Sequence, residues 1–245
     1  MTHLRSPCDR RSGAPGRSAT GFAVAAGPCA KRITLACLTA LAAATACRAG
    51  DLAVSVVDRS GRALADVVVT VVPLTPGAPR ALPSATAVMD QQNLAFVPRV
   101  LVVATGTSVS FPNSDSVSHQ VYSFSPTKKF QLPLYKGARH PPVTFEREGL
   151  VVLGCNIHDT MAGYIYVTDA PFFGTTDAAG TLRLAGVPGG EYRLTLWSPL
   201  VADPPQSLTR TLQIPPQGGT TSSVQLTREL RARPEPRPRR GDWEY

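Results

Sequence analysis

In Gly154-Cys155-Asn156-Ile157-His158-Asp159-Thr160-Met161, a thiol, an imidazole and a thioether follow one another at Cys-x2-His-x2-Met spacing. A second imidazole, His119, stands 36 residues before Cys155, just after Phe111-Pro112-Asn113-Ser114-Asp115. Two imidazoles, one thiolate and one thioether form a soft, mixed nitrogen and sulfur set, which suits copper in both oxidation states. Zinc takes further Cys, His or carboxylate ligands where this set offers Met161.

The same residues admit other chemistry. Cys155 with His119 or His158 could be read as a nucleophile and its base, but no neighbouring residue is recognisable as the group that orients the base. Cys155 could equally be an inert buried thiol, with His158 and Met161 as ordinary loop and core residues. Asn113, Asp115, Asn156 and Asp159 lie beside the donor positions, where short polar side chains either orient ligands or only build turns. His140, in Arg139-His140-Pro141-Pro142, is read as a solvated loop residue.

The elements that must position this set read as short strands. Leu52 to Val57 and Val67 to Val72 are β-branched runs joined through Asp58-Arg59-Ser60-Gly61, a strand, a turn and a strand. A Pro-punctuated connection follows from Pro73 to Pro83. Beyond it the pattern predicts strands over 86–89, 100–103, 107–111, 117–124, 143–145, 150–153 and 163–167, with no helix-period segment between them. From Phe172 the texture changes to turns at Asp177-Ala178-Ala179-Gly180 and Pro188-Gly189-Gly190, with strands over 181–184, 192–196, 208–214 and 221–226. Twenty-three prolines, twenty glycines and 43% hydrophobic against 17% charged residues fit an all-β chain and exclude a coiled coil or a fully disordered protein.

Residues 84 to 169 resemble a cupredoxin, the Greek-key β-sandwich of the blue-copper proteins. The resemblance is carried by Phe96-x-Pro98, Val100-x-Val102-x-x-x-Gly106-Thr107-x-Val109-x-Phe111-Pro112-Asn113, His119 and the Cys-x2-His-x2-Met loop, in that order. It implies that His119, Cys155, His158 and Met161 hold one mononuclear copper ion and that the protein carries single electrons. The loop length is similar to that of the amicyanin and plastocyanin-like members; amicyanin's place in methylamine utilization makes that oxidation a candidate pathway. Leu153 stands where many electron-transfer members have an aromatic residue. The flanks, Val54-x-Val56-Val57-Asp58-x-x-Gly61 and Thr176-Asp177-x-x-Gly180-x-Leu182-x-Leu184-x-Gly186-Val187-Pro188-x-Gly190-x-Tyr192-x-Leu194, resemble the two halves of a carboxypeptidase regulatory-like, transthyretin-type sandwich. The expected organisation is therefore a small second sandwich split between 51–75 and 172–227, with the copper domain inserted at 84–169.

The formal charge of +8 sits at the ends of the chain. Residues 1–49 carry a net +6 and 228–245 a net +2, while 50–227 hold twelve charges of each sign. With no basic stripe on the folded part, nucleic acid is not an expected partner. Lys31-Arg32 followed by the 14-residue apolar run Ile33 to Ala46 and small residues reads as a signal peptide within a leader over 1–49. The run is short of the ~20 residues that span a bilayer, so no transmembrane span is expected in the mature chain. A periplasmic or otherwise exported protein follows, with lipid anchoring at Cys47 a less favoured variant. Cleavage leaves Cys155 without a disulfide partner, which a role as metal ligand explains. The Arg/Pro/Glu-rich stretch 228–245 reads as a disordered basic tail.

The reading is an exported electron carrier working with redox partner proteins, and not an enzyme. The competing readings are a copper-handling protein without redox turnover and a structural β-sandwich with a vestigial metal site.

Overall fold

The computed structural model describes residues 50–77, 79–84, 86–137, 140–232. The leader and the end of the tail, 233–245, lie outside the described residues. Along the chain run β1 (Gly50–Val57), β2 (Val68–Pro73), β3 (Ala87–Val88), β4 (Asp90–Gln92), β5 (Ala95–Val97), β6 (Val100–Ala104), β7 (Thr107–Ser110), β8 (His119–Ser123) and β9 (Phe130–Tyr135). These are followed by β10 (Val143–Phe145), β11 (Gly149–Gly154), β12 (Ala162–Thr168), β13 (Phe172–Thr175), β14 (Thr181–Val187), β15 (Gly190–Trp197), β16 (Thr209–Ile214) and β17 (Thr220–Gln225). One 3-10 turn, Pro205–Leu208, is the sole helical element among the described residues. The fold is all-β.

The middle of the chain forms a two-sheet β-sandwich. A five-stranded sheet, β6-β12-β11-β8-β9, and a three-stranded sheet, β10-β7-β3, enclose one apolar cluster that includes Met89, Phe96, Phe111, Phe145, Leu153 and Ile165. Alternation along the strands explains which side chains enter it. On β11, Val151 and Leu153 are buried while Val152 is exposed; on β12, Ile165 and Val167 are buried and Tyr164 and Tyr166 are half-buried on the opposite face.

The flanks build a second pair of sheets, β14-β1-β17 and β13-β2-β15-β16. Leu52, Val54 and Val56 of β1 and Val69 and Val71 of β2 meet Leu194, Leu196 and Val224 in a separate apolar cluster. β1 pairs antiparallel with β14 and parallel with β17, so residues before the middle sandwich are clamped between strands that follow it. Trp197, at the end of β15, lies against the outer face of β12, with ring centroids 5.8 Å from Tyr164 and 5.6 Å from Tyr166.

Three elements were not anticipated from the sequence: the β4–β5 hairpin, the edge strand β9 and β13. β4 is polar, with Gln91 buried, and β5 is only Ala95-Phe96-Val97 with Phe96 buried, so neither carries an alternation long enough to mark a strand. β9 contains Pro133, which a strand tolerates at a sheet edge where no partner requires its N–H. The chain beyond 227 is also tied down at first. The Arg228 N–H donates to the Asp203 carboxylate, the Arg231 N–H donates to the Leu200 carbonyl, and Leu230 packs on the flanking core.

The β1 exit turn is held by Asp58, which accepts bonds from the Ser60 hydroxyl (2.6 Å), the Arg62 N–H (3.0 Å) and the Ser60 N–H (2.8 Å). The Ser60 hydroxyl and Arg62 N–H lead in lowering its carboxyl from 3.8 to about 2. A depressed folded-state value stabilises the protein fully above 3.8, and this contribution is lost as pH falls toward 2. Asp58→Asn should therefore destabilise the protein near neutrality and flatten the acid limb of a Tm-against-pH curve. In the flanking core, Leu194→Ala should cost about 2–5 kcal/mol by denaturant unfolding.

Candidate metal centre

Two segments distant in sequence meet at one end of the five-stranded sheet. β8 starts at His119, which pairs with Tyr135 of β9, and β11 ends at Gly154, which pairs with Tyr122 of β8. That last pairing delivers Cys155 beside His119. The chain then loops through Asn156 to Met161 and returns as β12; the loop is closed by the Met161 N–H donating to the His158 carbonyl at 2.9 Å and the Ala162 N–H to Thr160 at 3.1 Å. This turn brings His158 back over Cys155.

The donor atoms form a closed triangle. Cys155 Sγ lies 3.9 Å from His119 Nδ1 and 4.0 Å from His158 Nδ1, and the two Nδ1 atoms are 3.2 Å apart. A triangle with these edges has its centre about 2.2 Å from each corner, within the ordinary range of first-row metal bonds to imidazole nitrogen and thiolate sulfur. The three residues form a group able to hold a metal ion. His119 and Cys155 are buried, whereas His158 is half-buried and its neighbour Ile157 is 51% exposed. Met161 is buried in the same apolar cluster as Cys155, Phe111 and Tyr135.

His119 is oriented from behind. Its Nε2 is 3.0 Å from Asp115 Oδ2, so a proton on Nε2 leaves Nδ1 free as a lone-pair donor toward Cys155. Asp115 is held as a carboxylate by the Leu94 N–H at 2.8 Å and by His119, which bring its carboxyl down to about 2. Asn113 fixes the turn between them: its Oδ1 accepts from the Asp115 N–H, and its Nδ2 donates to the Val117 and Tyr135 carbonyls. Asn156 ties the loop to β8 by donating to Gln120 Oε1 at 2.7 Å. Asp159 is exposed and makes no side-chain hydrogen bond among the described residues.

The structure thus brings together His119, Cys155 and His158, sets Met161 in the adjoining core, and puts Asp115, Asn113 and Asn156 in bonding contact with the surrounding frame. His140 is half-buried rather than freely solvated, with its ring edge-on to Tyr135 at 4.4 Å between centroids. Tyr135 donates to the Phe111 carbonyl and accepts from Gln91 Nε2, and burial raises its hydroxyl to about 12. The β4–β5 hairpin, which the strand pattern does not predict, also builds the site: its Leu94 N–H holds Asp115 and its Asp90 accepts from Ser114 Oγ at 2.7 Å. The one local sign was Asn93 between polar and apolar residues. Asn93 and Leu94 both take left-handed backbone angles, φ 52° and 60°, to make the tight turn.

No protein-family profile and no curated protein matches the chain. Among solved structures it is similar to a purple cupredoxin from Nitrosopumilus maritimus, with 26% identity over 34% of this chain and 99% of that one and a TM-score of 0.30. It is similar to the copper-containing nitrite reductase of Thermus scotoductus SA-01, with 27% identity, 39% of this chain, 25% of that chain and a TM-score of 0.33. It is also similar to a reduced amicyanin variant, with 20% identity, 40% of this chain, 98% of that chain and a TM-score of 0.31.

Asp115→Ala should leave the chain folded and lower affinity for a first-row metal ion about 10- to 100-fold in competition with a chromophoric chelator. Asp115→Asn keeps an acceptor oxygen for His119 and should lose less.

Proposed function

We propose that this chain is an exported one-electron carrier in which His119, Cys155 and His158 would hold a single copper ion, with Met161 as a weak fourth donor. The closed Nδ1–Sγ–Nδ1 triangle is the observation that carries this reading. Copper bound to two imidazoles and a thiolate exchanges between Cu(I) and Cu(II) with little change in its ligands. The protein's part is to hold those ligands still. The Asp115 bond fixes the His119 ring, the sheet fixes Cys155, and burial keeps water from both. His158 is the donor nearest solvent, and the exposed Ile157 beside it offers apolar area where a redox partner can approach.

The reading assigns no catalytic residue. A nucleophilic role for Cys155 would require substrate to reach its sulfur, and the side chain is 3% exposed beneath the two imidazoles. A copper-handling role without redox turnover remains the competing class, and the fixed donor frame favours the carrier, since a protein that releases its ion gains from movable ligands. The amicyanin-like loop length keeps methylamine oxidation as the candidate pathway. Export rests on the leader within residues 1–49; no helix among the described residues is long and apolar enough to cross a membrane. The split flanking sandwich is read as a carboxypeptidase regulatory-like support without a site of its own.

Cys155→Ser should abolish the intense visible band of the copper-loaded protein even where some Cu(II) still binds, as read by absorption and paramagnetic resonance. An unchanged spectrum would remove the assignment. Met161→Leu should keep the band and raise the reduction potential, because loss of a weak donor stabilises Cu(II) less. An unchanged potential in voltammetry would make Met161 a core residue only.

A further inference from the structure

The outer face of the five-stranded sheet is aromatic, and the flanking sandwich covers only one side of it. Tyr164 and Tyr166 of β12 lie under Trp197. By the alternation of the pleat and the register of β11 with β12 and β8, the same face continues through Val152 and Gly154 to Tyr122 and Phe124. There Phe124 is 72% and Val152 42% exposed.

This open part is built rather than frayed. The Tyr122 and Phe124 rings are 5.1 Å apart. A Cβ added at Gly154 would come within 2.6 Å of the Tyr122 ring, so only glycine lets that ring close onto the backbone joined to Cys155. The Val152 N–H donates to Ser125 Oγ at 2.9 Å, pinning the segment after β8 to β11. Next to the apolar area, a surface hollow is lined by Lys128, Lys129 and Arg147 with Glu146 as its one carboxylate. Neither lysine forms an ion pair among the described residues; the Arg147 guanidinium donates to the Pro126 carbonyl. Positive charge is thus concentrated at the rim of an apolar patch that no described residue covers, although residues 50–227 are neutral overall.

We propose that this face, centred on Tyr122, Phe124 and Val152 and rimmed by Lys128, Lys129 and Arg147, docks an acidic electron-transfer protein. Unpaired rim cations select a partner of opposite charge and speed its approach, while the apolar centre supplies contact area. A bound partner lies over the strand that ends at Cys155, on a surface separate from the His158 edge. The proposal rests on the carrier reading only for the partner's redox class; the docking itself needs no metal.

The test titrates the isotope-labelled full chain, both metal-free and Cu(I)-loaded, with an acidic c-type cytochrome as probe. A basic c-type cytochrome and anionic phosphatidylglycerol vesicles run in parallel. Amide shifts should concentrate at 122–125, 128–129, 147 and 152, and fade as ionic strength rises past 0.1 M, where screening acts within about 10 Å. The triple variant K128E/K129E/R147E should bind the acidic probe at least about 10-fold more weakly, while K128R/K129R keeps wild-type affinity. Shifts confined to Asn156–His158, an unchanged affinity in the charge-reversed variant, no binding of the acidic probe, or binding of the vesicles alone would each overturn the proposal. Because docking is read without metal, a chain that fails to bind copper yet docks the probe refutes the carrier reading and leaves the surface standing.

Discussion

The site depends on the pairing of β8 with β11. Gly154 opposite Tyr122 is the one register pair between these strands, and it sets Cys155 3.9 Å from His119 although 36 residues separate them. Shifting that register by one residue would turn Cys155 to the opposite face of the sheet and leave His119 facing an apolar core without its partner. The rest of the middle sandwich holds the register. β11 pairs with β12 along its full length, β9 covers the other edge of β8, and Leu153 and Val121 anchor β11 and β8 from the inner face.

Around that pairing the protein adds polar groups only where they fix direction. Asp115 accepts from both the hairpin and His119, so its charge is stabilised while it decides which imidazole nitrogen faces Cys155. Asn113 and Asn156 brace the two loops from either side. Each is a short side chain bonded to backbone or to a neighbouring strand, which confines the donor side chains without filling the space between them.

Much of this was legible in the sequence. The Cys-x2-His spacing, His119 and the β-branched runs announced the cluster of His119, Cys155 and His158 and an all-β scaffold, because strand alternation and side-chain chemistry are both local properties. The β4–β5 hairpin was not legible: its strands are three residues each, one of them polar with Gln91 buried, and its turn relies on left-handed Asn93 and Leu94 rather than on glycine. β9 was hidden by Pro133, and the anchoring of Leu230 by the basic residues around it. The part played by Asp115 was visible only as a polar residue near a ligand; its bond to His119 depends on a turn closed by the Leu94 N–H, twenty-one residues away.

Copper K-edge absorption on the copper-loaded protein tests the central claim most directly, because it reads the atoms bound to the metal whatever the protein does next. One short copper–sulfur bond and two imidazole nitrogens at comparable distance are expected in both the oxidised and the reduced protein, with little change between them. A first shell of nitrogen and oxygen alone, or one whose sulfur appears only on reduction, would contradict it.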